Sequence, residues 1–509
     1  MNPQITKEIH VLWPPLGILI LVSLLPYHSM ERSLLVALPI VFIISCVLMA
    51  GLAFGHEFQQ RTISLLLAQP VPRRRIWLQK IGLLGMFLAV GAFSVVLAFY
   101  RFDPQLLTRS TESLAASFDS MWPPLIAITF ISFCTVPLLT CLFRSTLLGV
   151  VFSFLVPGAL LAINGLLCEY VLRKPAATTF CAYVILGLYA VICLGLGYRT
   201  FMHLEVIDGS ALGREIELPQ RWKKISSAAM ASSWGKFESP TATLIKKELR
   251  LQQVTFLLAA IFCVIALLGA FLYSAQRGHT QQTNLGEVLL TADFVIYIVL
   301  LPLLAGSLAL AEEKMWGVAE WQIMLPVSLL KQWGIKMLVT LSNSLLLGFF
   351  LPLGLLLIGQ RWLGPSEAAN SFSQWGPVQL LGYLIAVQLV VFAGSISGTT
   401  VRSILIALGL FGLIGCAIGA TDWAFQHYST FEEYLTYGRY VFEGDDGQPV
   451  GGRWMLFVLQ MAVCFGLLQR FSFSGFRTTR VRPAWVSVQA GIIFLMACLM
   501  TLTALALHQ

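Results

Sequence analysis

GHEFQQRTISLLLAQPVPRRRIWLQK, residues 55–80, and AEEKMWGVAEWQIMLPVSLLKQWGIK, residues 311–336, decide how this chain is organised. Shifted by 256 positions, they coincide at Glu57 and Glu313, Pro70 and Pro326, Val71 and Val327, Trp77 and Trp333, and Lys80 and Lys336. Five identities at one fixed offset mark an internal repeat. Each copy is a polar segment set between two apolar runs.

The composition says where such a repeat lives. Hydrophobic residues are 57% of 509, charged residues 11%, and the mean hydropathy is +0.79. Soluble domains carry about 25% charged residues, so the chain is built for lipid. Lipid cannot hydrogen-bond an open backbone, so a span is a helix of about 20 apolar residues. Runs without period-2 alternation exclude a barrel. Spans are expected near 11–29, 34–54, 79–100, 122–142, 146–168 and 178–198, then near 253–273, 290–311, 335–358, 377–399, 403–421, 454–469 and 484–507. No cleavable secretory signal is expected, because an early Pro-Pro and one lysine precede the first run without a small-residue cleavage site.

Lysine and arginine set the orientation. With the N-terminus inside, 24 of the 33 fall on inner loops, which is the bias of cytoplasmic loops. The reverse would expose Arg73, Arg74, Arg75, Arg221, Lys223 and Lys224 outside. The outer loops carry acids instead, most densely over 422–446. Thirteen spans then leave the C-terminus outside.

Further echoes widen the repeat. Ile5, Lys7 and Glu8 are matched by Ile245, Lys247 and Glu248, Arg144-Ser145 by Arg402-Ser403, and residues 195–199 by 466–470. The expectation is an all-α polytopic membrane protein of two parallel six-helix repeats plus one extra C-terminal transmembrane helix. Its parts are a first half, 1–199; a cytoplasmic linker, 200–243; a second half, 244–470; and a basic loop with the extra helix, 471–509. The linker ends in a helix start, with Ser239 to cap and Pro240 at the first position. Leu244, Ile245, Leu249 and Leu251 fall on one side, Lys246, Lys247, Glu248 and Arg250 on the other. Such a helix is expected to lie along the inner membrane surface, the alternative being a juxtamembrane extension of the next span.

A Lys-Lys-Glu lead-in, six spans, and Glu57, Arg61-Thr62, Leu65-Leu66-Leu67, Pro70-Val71, Arg73 and Lys80 resemble the type-2 ABC exporter permeases. The second copy keeps Glu313, Gly317, Pro326-Val327-Ser328 and Lys336, with Leu329 where the pattern has a basic residue. The resemblance implies a permease subunit in a bacterial cytoplasmic membrane. Its loops 55–80 and 311–336 would couple, through Glu57, Arg61, Pro70, Arg73, Arg74, Arg75, Lys80, Glu313, Gly317, Pro326 and Lys336, to two separate ABC ATPase subunits. Those partners would hold ATP and Mg, and this chain would bind no cofactor and contact membrane lipid but no nucleic acid. The residues support the role independently. Pro70 and Pro72 stiffen the turn and the arginines offer forked donors to carboxylates. A basic loop that only fixes topology and meets anionic lipid would need neither glutamate nor proline.

No phosphate-binding loop is present, so ATP hydrolysis belongs to another subunit and the chain itself is not an enzyme. His56-Glu57 lacks a second histidine at Gln60, and Glu312-Glu313 lacks a later His pair, which weighs against an intramembrane protease and any metal. The ten cysteines sit mostly in apolar runs without Cys-x-x-Cys, as packing residues do. An ion-coupled secondary transporter would place charge at midplane, where this chain offers only Asn164, Asn343, Gln388 and Gln460. A membrane scaffold without transport would leave the repeated loops unexplained.

Overall fold

The computed structural model describes residues 3–24, 37–60, 62–102, 111–166, 178–204, 240–276, 285–315, 327–363, 367–427, 452–477 and 483–508. Of the expected coupling residues, Arg61, Gly317 and Pro326 lie outside these, as do linker residues 205–239 and most of the acidic outer loop.

Among the described residues every regular element is a helix. In chain order these are α1 (Pro3–Ser23), α2 (Ala37–Gln59), α3 (Ile63–Leu67), α4 (Arg73–Phe102), α5 (Thr111–Phe143), α6 (Thr146–Leu166) and α7 (Thr178–Met202). Then follow α8 (Pro240–Leu251), α9 (Gln253–Gln276), α10 (Leu285–Met315), α11 (Leu329–Leu345), α12 (Leu351–Leu363), α13 (Glu367–Ile396), α14 (Thr400–His427), α15 (Gly452–Arg477) and α16 (Pro483–His508). Among the described residues, eight helical stretches are long and apolar enough to cross a bilayer, and four more are shorter apolar helices. The chain is a multi-pass, all-α membrane protein.

A helix stands at each of the thirteen expected spans, with two differences of substance. Helix α1 starts at Pro3 and continues through Pro14 and Pro15, so Lys7 and Glu8 belong to it rather than to a separate lead-in. Prolines persist in membrane helices because packing neighbours re-satisfy the freed backbone groups. The expected span 335–358 is interrupted by a π-helical turn, Leu346–Phe350, between α11 and α12.

Two helices are central. The spanning stretch of α2 is 83% buried and that of α10 is 72%, against 28–44% for the other long spans among the described residues. A helix apolar all round belongs inside. Helix α2 is flanked by α1, α4, α5 and α6, and α5 carries α7. Helix α10 is flanked by α9, α11, α13 and α14, and α13 carries α15. Small residues admit the close contacts: a Cβ at Gly55 would overlap Thr146 of α6, and one at Gly306 would overlap Val390 of α13. The two groups of helices meet through α6 against α9 and α10, and through α1 against α14. Helix α16 packs on α14 and α15.

Candidate functional site

The repeated glutamates and lysines come together in two buried clusters. In the first, Lys7 Nζ reaches both carboxylate oxygens of Glu57, at 2.9 and 3.1 Å. Lys80 Nζ bonds Glu8 at 2.5 Å and the Ala53 carbonyl at 2.8 Å, and lies 3.6 Å from Glu57. Thr62 donates its hydroxyl to the second Glu57 oxygen. In the second, Lys247 Nζ is 2.6 Å from Glu313, and Lys336 bridges Glu248, at 2.7 Å, and Glu313. Each cluster joins a lead-in Lys-Glu pair, the end of a central helix, and the start of the next span. Two acids and two lysines make each one neutral, the condition under which charge is tolerated in a low-dielectric interior.

The amphipathic helix α8 forms where its periodicity places it, but its polar side is divided. Lys246 and Arg250 are exposed, whereas Glu248 is buried and Lys247 turns to Glu313. The side expected to face the aqueous surface therefore supplies half of the second cluster. Burial pushes the Glu248 carboxyl above the ordinary glutamate range, and the Lys336 ammonium beside it pulls the other way.

Glu57, Lys80, Glu313 and Lys336 are each at most 3% exposed, so none of them presents a surface to a partner. What is presented lies directly above the first cluster. The short helix α3 exposes Leu65, and the chain leaving it exposes Ala68, Gln69, Pro70 and Pro72. Arg74 and Arg75 are exposed as well. Arg73 is not free. It donates to the carbonyls of Met202 at 2.6 Å and Leu204 at 3.2 Å, closing the C-terminus of α7. On the second connection Leu330 is exposed, while Leu329 packs against the core.

Both repeated tryptophans are anchors. Trp77 packs on Tyr198 and Phe201 of α7, with ring centroids 6.1 and 5.4 Å away. Trp333 meets Phe473 of α15 edge-on at 5.3 Å. Beside the second cluster, Lys314 donates to the carbonyls of Ser395, at the end of α13, and Gly475, near the end of α15. Arg402, in the first turn of α14, lies within electrostatic reach of His56 on α2. Arg144 differs from its echo: it ends α5 in the left-handed region, at φ 49°, instead of starting the next helix.

These contacts gather the C-termini of α2, α7, α10, α13 and α15 and the N-termini of α1, α4, α11 and α14 at one end of the bundle. That end holds both clusters, Arg74, Arg75, Lys246 and Arg250. The Glu57 carboxylate is already engaged by two lysines and a threonine, which leaves it unsuited to act beside a metal. No protein family, curated protein or solved structure matches the chain significantly.

The sequence pattern located these residues and missed what they do to one another. One signal was available: acid and base recur in equal number around the same two spans, and charges buried in lipid must be paired.

Proposed function

We propose that the chain is the membrane-spanning permease subunit of an ATP-driven ABC exporter, built from two parallel six-helix repeats with an extra C-terminal helix. The observation that carries this is the recurrence of one neutral four-charge cluster at the end of each central helix. A loop that only fixes topology needs basic residues, not a sealed ionic base. A loop that passes motion from a partner into the spans needs a rigid footing, and the cluster locks three helices at that point.

The matching neighbours of α2 and α10, and the mated contacts α6 with α9 and α1 with α14, support the repeat. Two docking places fit two ATPase subunits, each holding its own ATP and Mg. Leu65, Pro70, Arg74 and Arg75 are the groups on offer at the first, and Leu330 at the second. Glu57, Lys80, Glu313 and Lys336 then act as positioning residues, not as contacts. The concentration of exposed arginine and lysine at the cluster end favours placing it, with the N-terminus, in the cytoplasm of a bacterial cell, and the C-terminus outside.

A photo-crosslinking amino acid at position 65, used in intact membranes, tests the proposal. The expected adduct is a protein that also takes up an azido-ATP label. An adduct only with lipid, or with a protein that does not bind ATP, overturns it.

A further inference from the structure

Helices α4 and α5 part along one side of the first half and leave a cavity of about 320 Å³ between them. It runs from Gly85 to Val96 on α4, about 16 Å along the axis, beside Leu125 to Phe133 on α5. Both stretches belong to segments long and apolar enough to cross a bilayer. Phe133 closes one end, standing 3.3 Å from where Gly85 would carry a Cβ. The outer wall is open, with Ile126 62% and Phe130 42% exposed. There the cavity continues into the exposed apolar row Met86, Val90, Phe93 and Leu97 of α4.

The lining selects what enters. Its polar side chain is Thr129, whose hydroxyl donates to the Leu125 carbonyl at 2.8 Å. Water needs two to four polar partners to stay, so a cavity lined in this way is dry, and an apolar cavity of about 150 Å³ already binds benzene. Left empty, its walls would forfeit dispersion contacts. A sugar or an ion finds nothing to engage, and the long, narrow shape suits an extended chain better than a compact body.

The second half fills the corresponding place from within. At offsets of 256 on the first lining helix and 258 on the second, Leu88, Ala92 and Leu125 answer to Ser344, Gly348 and Tyr383. Tyr383 is buried, its hydroxyl bonds the Ser344 carbonyl at 3.2 Å, and a Cβ at Gly348 would overlap that hydroxyl. Where the second half sets a tyrosine ring against a glycine, the first sets a leucine against an alanine and leaves space between them.

We propose that this cavity holds one acyl chain of a membrane phospholipid, lodged between α4 and α5 in the place that Tyr383 takes in the second half. The cavity opens sideways onto an exposed apolar face, and nothing inside it engages a polar group, so the tail enters and the headgroup stays outside. The chain supplies the contacts that the two helices do not make with each other. The cavity does not depend on an ATPase driving the chain, and its test needs no ATP.

The full chain is reconstituted in phosphatidylcholine vesicles that carry a trace of phosphatidylcholine with a diazirine midway along one acyl chain. After illumination, adducts are located by peptide mass spectrometry. Residues lining the cavity should be labelled at least about threefold more than Phe180, Leu188 and Val191, exposed apolar residues of α7. Ala92→Phe, which fills the cavity, should remove that excess and leave the α7 labelling as it was, which also shows that the variant is folded. Leu125→Tyr, which copies the second half, should do the same from the other wall. Three results would each overturn the proposal: labelling spread evenly over α4, α5 and α7, an excess that survives both filling variants, or chain-to-chain adducts through α4 and α5, which would make this face an interface between copies.

Discussion

The two charge clusters use the same four residue types and are not equally deep. In the first, Lys80 has help from outside the ion pairs: the Ala53 carbonyl accepts from it, and its ammonium lies 5.7 Å from the Phe54 ring centre. Its partner Glu8 retains 12% side-chain exposure, and Glu57 has both Lys7 and Thr62 to itself. In the second, Lys336 stands between Glu248 and Glu313, which are 5% and 3% exposed. The flanking residues diverge too. Phe58 fills apolar space, whereas Lys314, at the same offset, ties α10 to the ends of α13 and α15. Equal charge count therefore does not mean equal dependence: the deeper cluster relies more on each member.

The largest expected effect exploits that difference. Lys336→Met leaves Glu248 buried without an ion pair, while Glu313 keeps Lys247, and removing one partner of a buried pair costs about 3–5 kcal/mol. Lys80→Met should cost clearly less, because Glu57 keeps Lys7 and Glu8 can reach water. Thermal and denaturant unfolding of the purified variants in detergent measures both. Equal losses would erase the distinction between the clusters.

How much of this was legible follows from the same residues. The apolar runs gave away the helices, since lipid permits nothing else, and the matched Glu, Pro, Trp and Lys of the two stretches suggested the proposed duplication. Pairing was hidden because Lys7 and Glu57 are 50 residues apart and Lys80 and Glu8 are 72, contacts that no local period encodes. The first helix begins eight residues before its expected start at residue 11 and absorbs Pro14-Pro15, as a membrane helix can. At the π turn Tyr297 bonds the Leu347 carbonyl, and just before it Tyr383 bonds that of Ser344, contacts from two other helices that no local pattern encodes. A partner-facing role for all three arginines was natural from their spacing; only the fold shows that the first is taken up by α7.

That distinction gives the middle-sized effect. Arg73→Ala removes two charge-assisted bonds to the end of α7 and should destabilise by about 1–3 kcal/mol. Arg74→Ala with Arg75→Ala, both exposed, should change stability by no more than about 0.5 kcal/mol. If the proposed ATPase partner docks here, the same double variant should lower its copurification at low salt and little at high salt, because surface charge pairs are screened. Leu330→Ala on the other connection should give a smaller loss that salt leaves unchanged, since it removes apolar area alone. Copurification across a salt series checks both, and identical salt dependence would end the idea of unequal docking loops.

The smallest effect compares the two outer lysines. Lys7 and Lys247 each reach a buried glutamate, yet their side chains are 43% and 35% exposed. Water and salt screen both, so Lys7→Ala and Lys247→Ala should each cost under about 1 kcal/mol. Their order is set by what each leaves behind. Without Lys7, Glu57 and Glu8 share Lys80, and Glu8 relieves the excess negative charge by its exposure. Without Lys247, Glu313 and Glu248 share Lys336 with almost no access to water. Lys247→Ala should thus be the more harmful, and its excess should persist at high salt while the Lys7 effect fades. Double-mutant cycles with Glu57→Gln and Glu313→Gln isolate the two couplings. A Lys7 coupling equal to or larger than that of Lys247 at every salt concentration would mean that burial of the remaining pair does not govern the ranking.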